Sequence, residues 1–214
     1  MKIDFVSDIA CPWCAVGLNA LEIALQRLQG EIAVSLEFQP FELNPQMPAE
    51  GEDTVEHLKR KYGIDEAQIA ANQAVLRERG AAVGFVFGAR PRIWNTFDAH
   101  RLLHWAGLQG LQRPLKHALL KAFHGEGRNP GDAEVLAEAA RAAGLDAAQA
   151  GEVVRSGAYA REVREAEQAW LQLGIRSVPA VVIDRQHLIS GGQPPEVFEQ
   201  ALRDIAAQGG SGGA

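Results

Sequence analysis

The sequence predicts an α/β fold in which a mixed sheet, built from a βαβ unit and an αββα unit, is interrupted by an inserted all-helical domain. Three patterns carry that expectation: strand, helix, strand at the N-terminus; a run of capped helices through the middle; and helix, strand, strand, helix at the C-terminus. The frame then comprises residues 1–50 and 152–208 and the insertion residues 51–151, while the glycine-rich ending 209–214 reads as a disordered tail.

Taken in order, "IDFVSDI" from Ile3 to Ile9 is a short strand. Val16, Leu18, Leu21, Leu25 and Leu28 then recur at the spacing of one helix face, which ends near Gly30. In "IAVSLEFQPFEL", Ile32, Val34, Leu36 and Phe38 alternate with polar residues, as a half-buried strand requires. Strand, helix and strand in succession imply a parallel pair, because parallel strands need a crossover. In the insertion, Asp53 with Glu56 reads as a capping box and Asp65 opens another helix. Asn95 or Thr96 caps "FDAHRLLHWAGL", and Asp132 caps "AEVLAEAARAAG". "YAREVREAEQAWLQLG" resumes the frame as a helix. "VPAVVID" and "HLISGG" are two strands joined by a hairpin at Arg185-Gln186, and "PPEVFEQALRDIAAQ" closes the chain as a helix with prolines at its start.

At 214 residues the chain is long enough to bury a core without disulfide staples. Its net charge of −6, with no dense Lys/Arg cluster, argues against nucleic acid or an anionic membrane as partner and for a protein or small molecule. "MKIDFVSD" has Asp4 and Asp8 inside a very short apolar run, unlike a signal peptide, and no later stretch is apolar for long enough to span a bilayer. A cytoplasmic location is expected, where a cysteine pair is usually redox-active or metal-binding.

The two cysteines, Cys11 and Cys14, flank Pro12 and Trp13 at the start of the first helix. A helix N-terminus presents unpaired N–H groups and a partial positive charge, which stabilise a thiolate at the first cysteine. Cys11 is therefore the expected nucleophile. Cys14, one turn along, is placed to attack a mixed disulfide at Cys11 and release the partner. Pro12 suits the first helical turn, where its missing N–H costs nothing. A structural zinc site would need four ligands; there is no second cysteine pair, and His100 and His104 on one helix face are better read as packing or capping residues, so no metal is expected. A Cys-x-x-Cys at this point of a βαβ unit, with an αββα unit to follow, is the thioredoxin arrangement.

"RSVPAVVID" carries the second feature. Pro179 could simply mark a strand edge. Beside a dithiol it has a stronger reading: a cis bond between Val178 and Pro179 would set this loop against Cys11 and Cys14 and leave the Val178 backbone to pair with an extended substrate segment, with Pro12 and Trp13 on the same surface.

"DIACPWC", "FELNP", "NTFDAHRLLHWA", "AFHGEGRNPGDAEVLAEAARAAGLD", "VPAVVID" and "ISGGQPPEVFEQAL" together resemble the cytoplasmic DsbA-like oxidoreductases related to the frenolicin-type disulfide isomerase of polyketide biosynthesis. The resemblance runs from about Ile3 to Ile205 and implies a thioredoxin fold with a helical insertion, thiol–disulfide oxidoreductase activity, and catalytic roles for Cys11, Cys14 and Pro179. Trp13 stands where strongly oxidising relatives carry a histidine, so a reductase or isomerase is expected, drawing on a cellular reductant and acting on a thiol- or disulfide-containing protein or small molecule. No bound cofactor is expected, and glutathione is a candidate redox partner. The same superfamily holds glutathione-dependent enzymes resembling 2-hydroxychromene-2-carboxylate isomerase and kappa-class glutathione transferase, which usually have Ser at the position of Cys11. A reading of another class is a peptide-binding chaperone module with incidental thiols.

Three further segments invite a role. "GFVFGARPRIWNT" either lines a pocket facing Cys11 or packs Phe85, Phe87 and Trp94 into the core. "HGEGRNPG" is a helix connection rather than a phosphate loop, since no strand precedes it and no Gly-Lys-Ser/Thr follows. Asp8 is expected to stabilise a turn beside the active-site helix, and its charge would oppose a thiolate at Cys11.

Overall fold

The computed structural model describes residues 1–210. Strand β1 (Lys2–Ser7) pairs in parallel with β2 (Ser35–Pro40) across helix α1 (Pro12–Arg27), the expected βαβ unit. On its other side β1 pairs antiparallel with β5 (Ala180–Ile183), which pairs antiparallel with β6 (His187–Ser190). The sheet order is thus β2-β1-β5-β6. Ala180, Val181, Val182 and Ile183 are all buried, which is why β5 reads as an unbroken apolar run rather than an alternation. The period of two sends Ile3, Phe5, Val181 and Ile183 into the larger core, with α1. It sends Val6, Ala180 and Val182 to the opposite face, against Trp170 and Ile175. The hairpin turns one residue earlier than Arg185-Gln186: Asp184 and Arg185 carry the positive φ angles (48° and 55°), and Gln186 N–H donates to the Ile183 carbonyl at 3.0 Å.

Between the two halves run α2 (Thr54–Tyr62), α3 (Glu66–Ala82), α4 (Phe97–Leu108), α5 (Gln112–Leu120), α6 (Ala133–Ala142) and α7 (Ala147–Ser156). Asp53, Asp65 and Asp132 cap α2, α3 and α6 through their carboxylates, as their spacing indicated. Two short features join these helices. β3 (Glu52–Asp53) and β4 (Arg92–Ile93) form a two-residue antiparallel bridge, too short to leave an alternation in sequence. A π-helical turn, Lys121–Gly125, continues α5 into the "HGEGRNPG" connection. The helices between residues 51 and 151 share one apolar core with the sheet and α1. Leu102, Leu119, Phe123 and Leu136 belong to the same contiguous core as Phe5, Leu18 and Phe198.

Helix α8 (Ala160–Gln172) returns the chain to the sheet, and α9 (Pro195–Gly210) packs on α1. Ala206, Ala207 and Gln208 are good helix formers and carry α9 into Gly209 and Gly210, the first two residues of the expected disordered tail. The rest of that tail, residues 211–214, lies outside the described residues.

Candidate active site

Cys11 is the N-cap residue of α1, extended at φ −86° and ψ 111°, with Pro12 at the first helical position and no acidic residue in the first turn. Its Sγ lies 3.5 Å from the Val178 carbonyl oxygen, in donor range for a thiol. The Val178–Pro179 peptide is cis. Pro179 is buried against Gly17, where an added Cβ would meet its Cγ at 3.1 Å. Trp13 is the exposed member of the motif, at 36%. The loop after β6 closes on it through Gly192, where a Cβ would stand 3.0 Å from the Trp13 carbonyl. Cys11, Cys14, Pro12, Trp13, Val178 and Pro179 therefore meet at one end of the sheet.

The two thiols, both free, are unequal. Cys11 keeps 4% of its surface and Cys14 none. Burial, with the hydrogen bond and charge of Cys11, pushes the Cys14 thiol well above its ordinary value. The ammonium of Lys116, itself fully buried on α5, works in the opposite direction. Burial lowers Lys116 from its ordinary value, and negative charge at Cys14, Asp8 and Cys11 counters that.

Asp8, fully buried, gathers the surroundings of the motif. One carboxylate oxygen accepts from Ala10 N (3.1 Å), Thr96 Oγ1 (2.7 Å) and His100 Nε2 (3.2 Å), and the other from Leu43 N (2.7 Å). The predicted turn beside α1 is there, and so are contacts with the segment after β2 and with α4. Burial would raise the Asp8 carboxyl, but the His100 hydrogen bond and charge, with the Leu43 and Thr96 bonds, bring it below its usual value. This explains the cap of α4: Thr96 holds the cap position but spends its hydroxyl on Asp8, so the Asn95 side chain accepts from Phe97 N at 2.8 Å instead.

The helices of 51–151 bring further charge. Lys61 at the end of α2 donates to the Leu43 carbonyl (2.8 Å) and Asn44 Oδ1 (2.6 Å), fixing the "FELNP" turn. Negative charge at Cys11 is felt by Lys61, Tyr62, Arg90 and Lys116. In "GFVFGARPRIWNT", Phe85, Phe87 and Trp94 do pack against the core, while Arg90 of the same segment reaches His124, its Nη1 2.9 Å from the ring's Nδ1. His100 answers to Asp8, and His104 packs on Tyr159 with ring centroids 5.1 Å apart. Among the described residues no group of three or more His, Cys, Asp or Glu is placed to hold a metal ion. Arg90, His124 and Lys116 had no sequence signal of their own. Each is a single polar residue in a helix or loop, made relevant by a contact distant in the chain. Only the unusual Gly and aromatic content of 84–94 pointed toward Arg90.

No helix among the described residues is long and apolar enough to cross a membrane. The chain is 28% identical over 205 residues to the uncharacterized protein YwbO of Bacillus subtilis, covering 95% of this chain and 96% of that one. It superposes with a TM-score of 0.91 on a probable DsbA oxidoreductase from Streptomyces coelicolor, at 38% identity over 97% of this chain and 90% of the other. It shares the fold of the cytosolic disulfide reductase DsbM from Pseudomonas aeruginosa, solved with GSH, at a TM-score of 0.62 and 17% identity over 97% of this chain and 100% of that one. With a dithiol at the head of α1, a cis-proline loop beside it, and residues 2–203 matching the DSBA-like thioredoxin domain, the chain belongs to that family of thiol–disulfide oxidoreductases.

Proposed function

We propose that this protein is a disulfide reductase or isomerase that works through the dithiol of Cys11-Pro12-Trp13-Cys14, on a frame of residues 1–50 and 152–208 with 51–151 as its inserted domain. The carrying observation is the inequality of the thiols: Cys11 stands at the N-cap position of α1 with its Sγ beside the Val178 carbonyl, and Cys14, one turn on, is wholly buried with its proton held tightly. The Cys11 thiolate attacks one sulfur of a substrate disulfide, and the other sulfur leaves as a thiolate that takes up a proton. Cys14 then gives up its proton and attacks Cys11 Sγ. The Cys11–Cys14 disulfide forms, the mixed disulfide breaks, and the second substrate thiol departs. Two thiols of a cellular reductant restore the dithiol and leave as a disulfide. The likeness in fold to DsbM, a cytosolic reductase solved with GSH, supports both glutathione in that role and a cytoplasmic setting.

Val178, Pro179, Pro12 and Trp13 form the docking edge in this reading, where an extended peptide or a small disulfide lies along the loop. Because Cys14 is sealed from solvent, its attack depends on a substrate already joined to Cys11. A Cys14→Ser variant should therefore accumulate mixed disulfides with its substrates, separable on non-reducing gels and lost on reduction. A Cys11→Ser variant should form none and fall to background in disulfide exchange. Exchange persisting in Cys11→Ser, or equal trapping by both variants, would refute these roles.

A further inference from the structure

Arg90 sits at a joint between the inserted helices and the loop that delivers Cys11. The joint is tight: a side chain at Gly88 would put its Cβ 2.1 Å from the Gly125 carbonyl oxygen, and Gly88 N–H donates to the His124 carbonyl at 3.0 Å. That contact sets Arg90 Nη1 2.9 Å from His124 Nδ1. A guanidinium only donates, so Nδ1 accepts and the ring proton stands on Nε2, which donates to the Ile9 carbonyl at 2.7 Å, two residues before Cys11. Burial, then the Arg90 charge, hold His124 well below the ordinary imidazole range, consistent with this neutral tautomer. π-helical turns such as the one that carries His124 are rare and concentrate at functional sites. The guanidinium also covers the Phe123 ring at 5.4 Å, and the Arg90 carbonyl accepts from Thr54 Oγ1 at 2.8 Å. Its Nε is shut away from water with no hydrogen-bond partner. Burial lowers Arg90 to about 10, which leaves it cationic at neutral pH.

We propose that Arg90, steered by His124, presents a fixed positive charge to the Cys11 thiolate and thereby sets the balance between dithiol and disulfide. The proposal rests on the reading of Cys11 as the attacking thiol. The motif supplies no cation of its own, since Pro12 and Trp13 are neutral, and Asp8 brings a negative charge close by. Lys116 is fully buried on α5, where the charge of Cys14 acts on it more than that of Cys11, and Lys61 is engaged by Leu43 and Asn44. Arg90 is the cation tied by hydrogen bonds to the backbone that leads into Cys11. A charge that stabilises the thiolate favours the reduced state and makes the couple more oxidising. His124 is the positioning residue.

The test equilibrates the full-length protein with reduced and oxidised glutathione, in the reaction where the protein disulfide and two glutathione thiols give the protein dithiol and glutathione disulfide. Arg90→Met should lower the equilibrium constant about tenfold, close to 30 mV for this two-electron couple. Arg90→Lys should retain most of the wild-type value, and His124→Leu should lower it by a smaller factor than Arg90→Met. A folded Arg90→Met with the wild-type constant would overturn the proposal, as would Arg90→Lys falling as far as Arg90→Met. Should Arg90→Met fail to fold, His124→Leu decides, and a wild-type constant there overturns it. Exchange surviving in Cys11→Ser would instead remove the nucleophile reading. An inactive Cys11→Ser beside an unchanged Arg90→Met removes the Arg90 inference alone.

Discussion

Two buried acidic sites lie on either side of the segment that follows β2, and they solve the same problem differently. Asp8 has both carboxylate oxygens engaged, by four donors including the ring of His100, and its carboxyl falls below the ordinary value in spite of full burial. Glu42 and Glu167 share the Arg164 guanidinium, which stacks 3.7 Å above the Phe97 ring, yet each leaves its Oε1 buried without a hydrogen-bond partner. Burial, reinforced by the Glu42 charge, raises the Glu167 carboxyl. Burial alone therefore does not decide whether an acid stays charged. The count and placement of donors decide it. The satisfied site is the one joined to Ala10, next to Cys11, where a shift of backbone would move the thiol.

If that contrast is correct, the largest effect comes from breaking the satisfied site. Asp8→Ala leaves His100, Thr96 and two backbone N–H groups without their acceptor, and removing one partner of a buried pair typically costs about 3–5 kcal/mol. Chemical denaturation at pH 7 should show a loss of that size, with slower disulfide exchange in the protein that remains folded. A loss comparable to that of an ordinary surface substitution would mean that the network contributes little. Thr96→Val is milder, since it removes one donor from Asp8 and keeps the side-chain volume; a loss of about 2 kcal/mol is expected for a hydrogen bond to a buried charge. The Asn95 cap of α4 should survive that change, so far-UV circular dichroism of the folded variant should match the wild type.

Much of the frame and the dithiol was legible because they follow local rules. Cys11 and Cys14 are one turn apart, Pro12 marks a first helical position, and the apolar run in β5 reports burial directly; of the alternating Ile32, Val34, Leu36 and Phe38, only Leu36 and Phe38 fall within β2, and Phe38 alone is buried. Asp8 was legible as a turn residue but not as a junction, because Leu43, Thr96 and His100 reach it across 35, 88 and 92 residues of chain. Gln112 is hidden in the same way: its amide both donates to and accepts from the Phe38 backbone, imitating a neighbouring strand at the edge of β2. The Arg90–His124 contact needs a π-helical turn and a meeting of Gly88 with Gly125, neither of which has a periodic signature. Charged side chains that act through tertiary contact leave no pattern, whereas caps, turns and apolar periods do.

The smallest and sharpest test lies in the pH dependence of the unsatisfied site. The Asp8 carboxyl is lowered, so its contribution to stability is present above its unfolded value near 3.8 and is lost as pH falls through the folded one. Glu167 is raised, so its contribution is complete below its unfolded value near 4.5 and is lost as pH climbs through the folded one. His100, Glu42 and Arg164 are the charged or titratable groups that act on it. Glu167→Gln keeps the shape, removes the titration, and offers an amide donor to the orphan oxygen of Glu42. Stability curves of variant and wild type should nearly coincide below pH 4.5 and separate above it, with the variant the more stable at pH 8. A constant offset at every pH would assign the difference to packing. A variant that loses ground as pH rises would show that Glu167 is charged without penalty, and that two orphan oxygens can be buried as comfortably as the four-donor carboxylate of Asp8.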